Sequence, residues 1–380
     1  MTKIYIIRHA EAEGNLYRRA QGQYDSLVTN MGLEQIATLW LRFSKIHIDA
    51  VYSSDLTRAM TTARAISLPR GLEIQATPRL REGDLGRWED MPWGKIEREE
   101  PEQIRHFSQD PDRWDIGSNE SFQAQKERMV SAVTDIAAQN PGKTIAAVSH
   151  GYVIRALMAH ILKKKFTEVA HCDNTGVSLI EVEDGEIRLQ FMNDNSHLPP
   201  EISTFARQSW WKGKQGIDGN IDYLPLDLNE PADTERYLSC RRAEWAEFYA
   251  ESGDFDEKSA LAAAKAQADS NPRAVVEVVL GDKPIGLLEL DLERGEEEGE
   301  GAISRLYLAP PFRGKGLGVQ LLGHATSVYR PMGRERLTVR LGEAHQESAG
   351  FFRRFGFSKT EQDTNGAFLE MAKDITIQRQ

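Results

Sequence analysis

The chain has 380 residues, with 47 Lys+Arg against 58 Asp+Glu, a formal charge of −11. That length favours two domains, and an acidic surface has little positive charge to exchange for counterions, so nucleic acid is not expected as a partner. At 40% hydrophobic and 28% charged residues the composition is that of a folded globular protein, and no apolar run approaches the ~20 residues of a membrane span.

A strand begins almost at the first residue, with no charged–apolar–small signal pattern. Cys172 and Cys240 are too few and too far apart for a disulfide framework or a thiolate metal site. A cytoplasmic setting is expected. In chain order, the pattern predicts a strand at 3–7, a helix at 29–43, a strand at 50–53 and a helix at 56–67. A helix at 121–139 follows, with Ser118 and Asn119 as candidate caps, then a buried strand at 144–148 and a helix at 153–162. This alternation predicts an α/β domain with a mostly parallel sheet and helices on both faces. Runs at 177–182 and 187–191 around Asp184-Gly185 predict an edge hairpin.

After His197 the periodicity fades through Leu198-Pro199-Pro200, Gly213, Gly216 and Gly219. Trp210 and Trp211 in this joint are expected to pack between domains. The expected boundaries are a first domain at 1–198, a linker at 199–219 and a second domain at 220–380. The second domain reads as extended at 221–226, helical at 234–250 and 259–269, and a hairpin of 274–280 with 284–292 about Gly281-Asp282. An acidic loop at 294–301, a strand at 303–308, a helix at 318–329, a strand at 337–341 and a short helix ending at Gly356 complete a mixed α+β order.

Chemistry concentrates at strand ends. Arg8-His9-Ala10-Glu11 follows the first strand, and Ser149-His150-Gly151 follows the strand at 144–148. Ligand sites in open parallel sheets lie beyond the carboxyl ends of the strands, so His9 and His150 are expected to face each other there. The strand at 50–53 leads to Arg58 at a helix opening, and the loop after Leu80 carries Glu82. Two forked guanidinium groups suit non-bridging phosphoryl oxygens, a neutral imidazole is a competent nucleophile near pH 7, and Glu82 is placed to move a proton. No carboxylate cluster has metal-ligand spacing, and no metal is expected. Glu89 competes with Glu82 as the acid and is read as structural. His47, His106, His160 and His171 are read as satisfied core histidines.

The ordered set of Arg8-His9-Ala10-Glu11, Asn15, Gln21-Gly22, the block 53–63, the segment 80–89, Ser149-His150-Gly151 and the segment 193–198 resembles the histidine phosphatase superfamily, in its phosphoglycerate mutase-like branch. The resemblance implies a phosphohistidine on His9, with Arg8, Arg58 and His150 around the phosphoryl group and Glu82 as acid/base. It places Asn15, Gln21, Gly22 and Gly151 at the substrate. Ala10 stands where the family usually has glycine. Mutases of the superfamily carry a longer insert between acid and second histidine than the compact 84–140 stretch here, which favours hydrolysis of a small-molecule phosphate ester; a phosphomutase is the alternative. Trp88, Trp93, Arg98, Arg105, Phe107 and Trp114 are candidates to shape the pocket.

In the second domain the strand at 303–308 meets a glycine loop, Arg313-Gly314-Lys315-Gly316-Leu317-Gly318, that opens a helix. Such a loop lets backbone amides approach a pyrophosphate. With Phe351-Phe352-Arg353-Arg354-Phe355-Gly356-Phe357 it resembles the GNAT superfamily of N-acetyltransferases over about 220–373. The resemblance implies acetyl-CoA held by Leu308, Arg313, Gly314, Lys315, Gly316, Leu317, Gly318 and Val319, and an amine acceptor. Phe352 occupies the usual tyrosine position and His345 an expected asparagine. Glu300, another acid of 296–300, or Ser304 are candidate bases. A domain that only binds coenzyme or a partner is the alternative to active transfer.

Overall fold

The computed structural model describes residues 1–208, 219–249, 253–342, 348–360 and 368–377; Trp210, Trp211 and His345 lie outside them. The chain divides into two compact units, one of residues 1–91 and 96–216 and one of residues 92–95 and 217–378. Of the expected linker, residues 199–208 belong to the first unit and Gly219 to the second. There Ser203 Oγ donates to Asp173 Oδ2 (2.6 Å) and Phe205 N–H to Asp173 Oδ1 (3.2 Å).

In the first unit, β1 (Thr2–Arg8) is apolar on both faces, with Ile4, Ile6 and Ile7 all fully buried, and so takes a central place. It pairs in parallel with β4 (Thr144–Ser149), which pairs in parallel with β2 (Ala50–Ser53) and that with β3 (Ile74–Ala76). On its other side β1 pairs antiparallel with β5 (Val177–Glu183), which forms a hairpin with β6 (Glu186–Asp194). The order is β3-β2-β4-β1-β5-β6. The three-residue β3 is too short to show a period and escapes the sequence pattern.

Both faces are covered. Leu39 and Phe43 of α2 (Asn30–Phe43) and Ala59, Ala63 and Ile66 of α3 (Thr57–Ser67) pack on Ile7, Val51 and Val148. On the opposite face Met129 and Val133 of α6 (Phe122–Gln139) and Val153 and Leu157 of α7 (Gly151–Leu162) pack on Ile4, Ile6 and Ile145. Burying each such side chain contributes about 1.5–3 kcal/mol, so the amphipathic faces set the layers. Smaller helices are α1 (Glu13–Tyr17), α4 (Trp93–Glu99), α5 (Pro101–Gln109) and α8 (Thr204–Arg207).

Two helix starts differ from expectation. Ser121 caps α6 by accepting from Ala124 N–H (3.2 Å), because Ser118 Oγ is taken by Arg87 N–H and Asn119 Oδ1 by Ile116 N–H. Helix α7 begins at Gly151, two residues early, because a carboxylate from a distant loop receives its first amides.

The second unit is a seven-stranded sheet flanked by helices. Its elements are β7 (Ile221–Pro225), α9 (Pro231–Phe248), α10 (Glu257–Ser270), β8 (Val275–Leu280), β9 (Lys283–Asp291), β10 (Glu300–Leu308), α11 (Gly318–Tyr329), β11 (Arg336–Leu341), α12 (Ala349–Arg354), β12 (Ser358–Lys359) and β13 (Leu369–Asp374), in the sheet order β12-β13-β11-β10-β9-β8-β7. Strand β10 starts inside the stretch expected as an acidic loop, since Glu300 pairs with Arg336 of β11. No helix among the described residues is long and apolar enough to cross a membrane.

Candidate functional site

Register brings the catalytic candidates together. Arg8 lies opposite Ser149, Ser53 opposite Val148 and Ile7 opposite Val177, so the ends of β1, β4 and β2 share one edge with the start of β5. His9 N–H donates to Ser149 O (2.9 Å), and the rings of His9 and His150 lie 5.0 Å apart between centroids.

Their tautomers follow from their partners. His9 Nδ1 is 2.7 Å from Ala10 O, and a carbonyl only accepts, so the proton sits on Nδ1 and Nε2 keeps its lone pair. In His150 the order is reversed: Arg58 Nε–H donates to Nδ1 (3.2 Å), which puts the ring proton on Nε2. That Nε2 is buried without a partner among the described residues. Burial, then the charge of Arg58, holds both imidazoles well below the usual 6.5, so both are neutral at pH 7.

Arg8 and Arg58 supply the positive charge. Arg8 donates from Nη1 to Cys172 O (2.6 Å), while its buried Nε has no partner among the described residues. Arg58, fully buried in the first turn of α3, donates from Nη1 to Tyr24 O (2.9 Å) and from Nη2 to Gly22 O (2.6 Å). Burial lowers its pKa to about 10, opposed by Glu82, Asp25 and Glu89, and it stays charged at neutral pH.

Two carboxylates separate by environment. Glu82 accepts from Tyr152 N–H and Val153 N–H (3.0 Å each) and from Gly83 N–H (3.2 Å), and this contact starts α7 early. Burial raises its pKa and outweighs the pull of these amides and of Arg58. A carboxyl that holds its proton more tightly than usual suits proton donation. Glu89 instead accepts from the backbone N–H groups of Gly22 (3.2 Å), Gln23 (2.7 Å), Tyr24 (2.8 Å) and Leu85 (3.0 Å).

Of the expected substrate contacts, Asn15 Oδ1 accepts from Ala12 N–H (3.1 Å) and Asn174 Nδ2 (3.4 Å), and the Gln21 amide donates to Ser26 Oγ. Gly22 and Gly151 are matters of space. A Cβ at Gly22 would come 2.3 Å from both Gly83 O and Glu89 Oε1, and one at Gly151 would come 3.0 Å from Arg8 Nε. Ala10 is accommodated in full burial, its N–H donating to Thr62 Oγ1 (2.9 Å).

Sequence reasoning missed the supports. Asn174 Nδ2 donates to His9 O (2.9 Å), and Arg128 donates from Nη1 to Arg79 O and Arg81 O (2.9 Å each) and from Nη2 to Glu82 O (3.3 Å). The run Asp173-Asn174-Thr175-Gly176 directly before an antiparallel strand was the available signal, because the start of such a strand lies at the catalytic edge. Among the aromatic pocket candidates, Trp88 and Trp114 are buried and pack with Phe107. The histidine readings need correction. His47 is exposed against Asp49, His160 is exposed, and His171 is part-buried beside Arg155; His106 is buried, though neither ring nitrogen has a hydrogen-bond partner among the described residues.

In the second unit the parallel register of β10 with β11 covers Glu300↔Arg336 to Ile303↔Val339, and β10 then runs on to Leu308. Beyond it Gly314 and Gly316 adopt φ of +70° and +76°, a conformation that glycine adopts readily. Gly318 opens α11, Leu317 and Val319 are buried, and Lys315 is exposed. This loop and helix start fit a pyrophosphate-bearing coenzyme. The neighbouring side chains are placed as follows. The Arg313 side chain is committed to Glu247, to Leu308 O (2.6 Å) and to the Tyr307 ring, so it braces the loop. Glu300 sits at the far end of β10, paired with Arg336 (2.8 Å), away from the loop. Phe352 is buried against Phe351 and Phe357.

Comparison with known proteins finds a family match in each unit. The sequence profile of the histidine phosphatase superfamily (branch 1) matches residues 4–195, and that of the acetyltransferase (GNAT) family matches 237–357. Phosphoserine phosphatase 1 of Hydrogenobacter thermophilus is 29% identical over 201 residues, 52% of this chain and 95% of that protein. A metal-independent phosphoserine phosphatase of Arabidopsis thaliana is 31% identical over 204 residues, 52% of this chain and 84% of that protein. The solved structure of Bacillus stearothermophilus YhfR matches with a TM-score of 0.51 and 32% identity, covering 52% of this chain and 99% of that one. The chain belongs to the histidine phosphatase superfamily (branch 1) and carries a GNAT-family acetyltransferase domain after it.

Proposed function

We propose that the first unit hydrolyses small phosphate monoesters through a phosphohistidine on His9, and that the second transfers an acetyl group from acetyl-CoA to an amine. The observation that carries the first half is the tautomer pair: His9 presents an Nε2 lone pair beside a buried His150 Nε2–H that has no partner among the described residues. A phosphoryl group seated there meets a nucleophile on one side and donors from His150, Arg8 and Arg58 around its equatorial oxygens.

The reaction runs in two displacements. His9 Nε2 bonds to phosphorus as the ester P–O bond breaks, and Glu82 gives its proton to the departing alkoxide. The Glu82 carboxylate then takes a proton from water, whose oxygen bonds to phosphorus as the N–P bond breaks. His9 returns neutral and inorganic phosphate leaves. The compact 84–140 stretch supports water as the acceptor over a second hydroxyl. Phosphoserine is the first ester to test, because the relatives bear that substrate in their names.

In the second unit Gly314, Gly316 and the start of α11 would hold the pyrophosphate, with Arg313 bracing the loop. Acetyl-CoA bound there supplies an acyl thioester. Phe352 has no proton to give, so the leaving thiolate would be protonated by solvent. Both halves are tested by a screen of phosphate esters for phosphate release and of amines for acetylation, with and without acetyl-CoA. Phosphate release without coenzyme supports the first half; acetyl transfer that depends on Gly314 and Gly316 supports the second.

A further inference from the structure

A guanidinium taken out of water without a carboxylate is costly, and Arg155 is in that position. It lies on α7 at 7% exposure. Its Nε donates to Val169 O (2.7 Å), its Nη1 lies 3.4 Å from His171 Nε2, and its guanidinium carbon stands 4.0 Å from the Phe166 ring centre. No carboxylate among the described residues pairs with it, and its Nη2 makes no hydrogen bond within them.

Arg155 lines a cavity of about 740 Å3 together with His171, Asn193, Asn195, Phe205 and Glu168. Asn193, which lines the same cavity, accepts at Oδ1 from Asp173 N–H (2.7 Å) and has an Nδ2 donor besides. Glu168, the carboxylate in that wall among the described residues, is exposed and accepts from Lys165 N–H (2.8 Å). His171 is neutral: burial and the charges of Arg155 and Arg8 hold it at about 4.

The cavity adjoins the phosphoryl cradle without being part of it. Gly151 of α7 abuts Arg8, and Arg155 stands one turn further on the same helix face, about 6 Å along the axis. His171 precedes Cys172, whose carbonyl holds Arg8 Nη1. His9, His150, Arg58 and Glu82 do not line the cavity.

We propose that Arg155, with Asn193, forms a second anion-binding site that takes a carboxylate or phosphate group. That anion has two sources: a second acidic group on the leaving part of the substrate, which rests on the phosphatase reading, or a separate small anion, which does not.

The test compares the full chain with Arg155→Met. Malonate binding is measured by calorimetry, kcat/KM is measured for phosphoserine and for p-nitrophenyl phosphate, and Tm reports folding. If the anion belongs to the substrate, kcat/KM for phosphoserine falls about tenfold or more while that for p-nitrophenyl phosphate stays within about twofold. If the anion is separate, malonate affinity falls about tenfold or more and both esters respond alike. Unchanged malonate binding and unchanged discrimination between the esters in a folded variant overturn the site. Should Arg155→Met fail to fold, Arg155→Lys and Arg155→Gln decide: the charged variant keeps anion binding and the neutral one loses it, and equal behaviour overturns the site. If neither ester is turned over, the phosphatase reading fails while the malonate comparison still judges the site.

Discussion

Glu89 positions Arg58 through the loop they share. The carboxylate accepts the N–H groups of Gly22, Gln23 and Tyr24, and the carbonyls of Gly22 and Tyr24 in turn accept from Arg58. The second arginine of the cradle is therefore held by an acid that needs no part in proton transfer.

This separates the two glutamates by experiment. Glu89→Gln loses charge-assisted bonds worth about 1.5–3 kcal/mol each, so Arg58 loosens and kcat/KM falls by a similar factor for aryl and alkyl phosphates. Glu82→Gln falls far more on alkyl esters, whose leaving groups need a proton. A leaving-group series of kcat/KM for both variants checks this; a steeper series for Glu89→Gln would exchange their roles.

The pH profile follows from the same burial. Attack needs neutral His9 and leaving-group protonation needs protonated Glu82. With ordinary values, 6.5 for His and 4.5 for Glu, these two states would coexist in about 1% of molecules at best. Burial lowers the first and raises the second, which makes the pair compatible. For an alkyl phosphate, kcat/KM is expected to hold below pH 6.5, where an ordinary imidazole would protonate, and to fall as pH rises through the Glu82 value. Glu82→Gln removes that alkaline limb and slows the reaction by about 10²–10⁴-fold.

Asn174 grips the His9 carbonyl, and Thr175 N–H donates to Arg8 O (3.1 Å). Asn174→Ala leaves every expected catalytic group in place but frees the nucleophile's backbone. We expect kcat to drop about tenfold with KM little changed, since a misplacement of about an ångström near the chemistry costs up to about 10²-fold. Steady-state kinetics check it; an effect confined to KM would make Asn174 a binding residue.

In the second unit, Gly316→Val forces a branched side chain to φ +76°. Affinity for acetyl-CoA, measured by calorimetry, should fall about tenfold or more, while phosphatase activity stays unchanged. Retained affinity would remove the loop from coenzyme binding.

The two histidines, Arg8 and Arg58 were legible because each ends or follows a strand or opens a helix, and strand ends converge by topology; Glu82 lies in a loop and was legible from the segment 80–89. Asn174 and Arg128 were not, since what they hold is backbone: His9 O and Glu82 O accept from them, and no spacing announces a carbonyl. Glu82 as the cap of α7 was hidden for the same reason, its partners lying some seventy residues away. Strand β12 passed unread because two residues show no period, and β13 because its alternation is broken where Glu370 is buried against Arg340; Glu300 misled because an acidic run looks like a loop until Arg336 pairs with it.

The most direct test is to quench turnover of a labelled phosphate ester and examine the protein. Label that is stable in base, labile in acid and lost in His9→Ala is the predicted result. Label that persists in His9→Ala, or steady turnover by that variant, would contradict a phosphohistidine on residue 9.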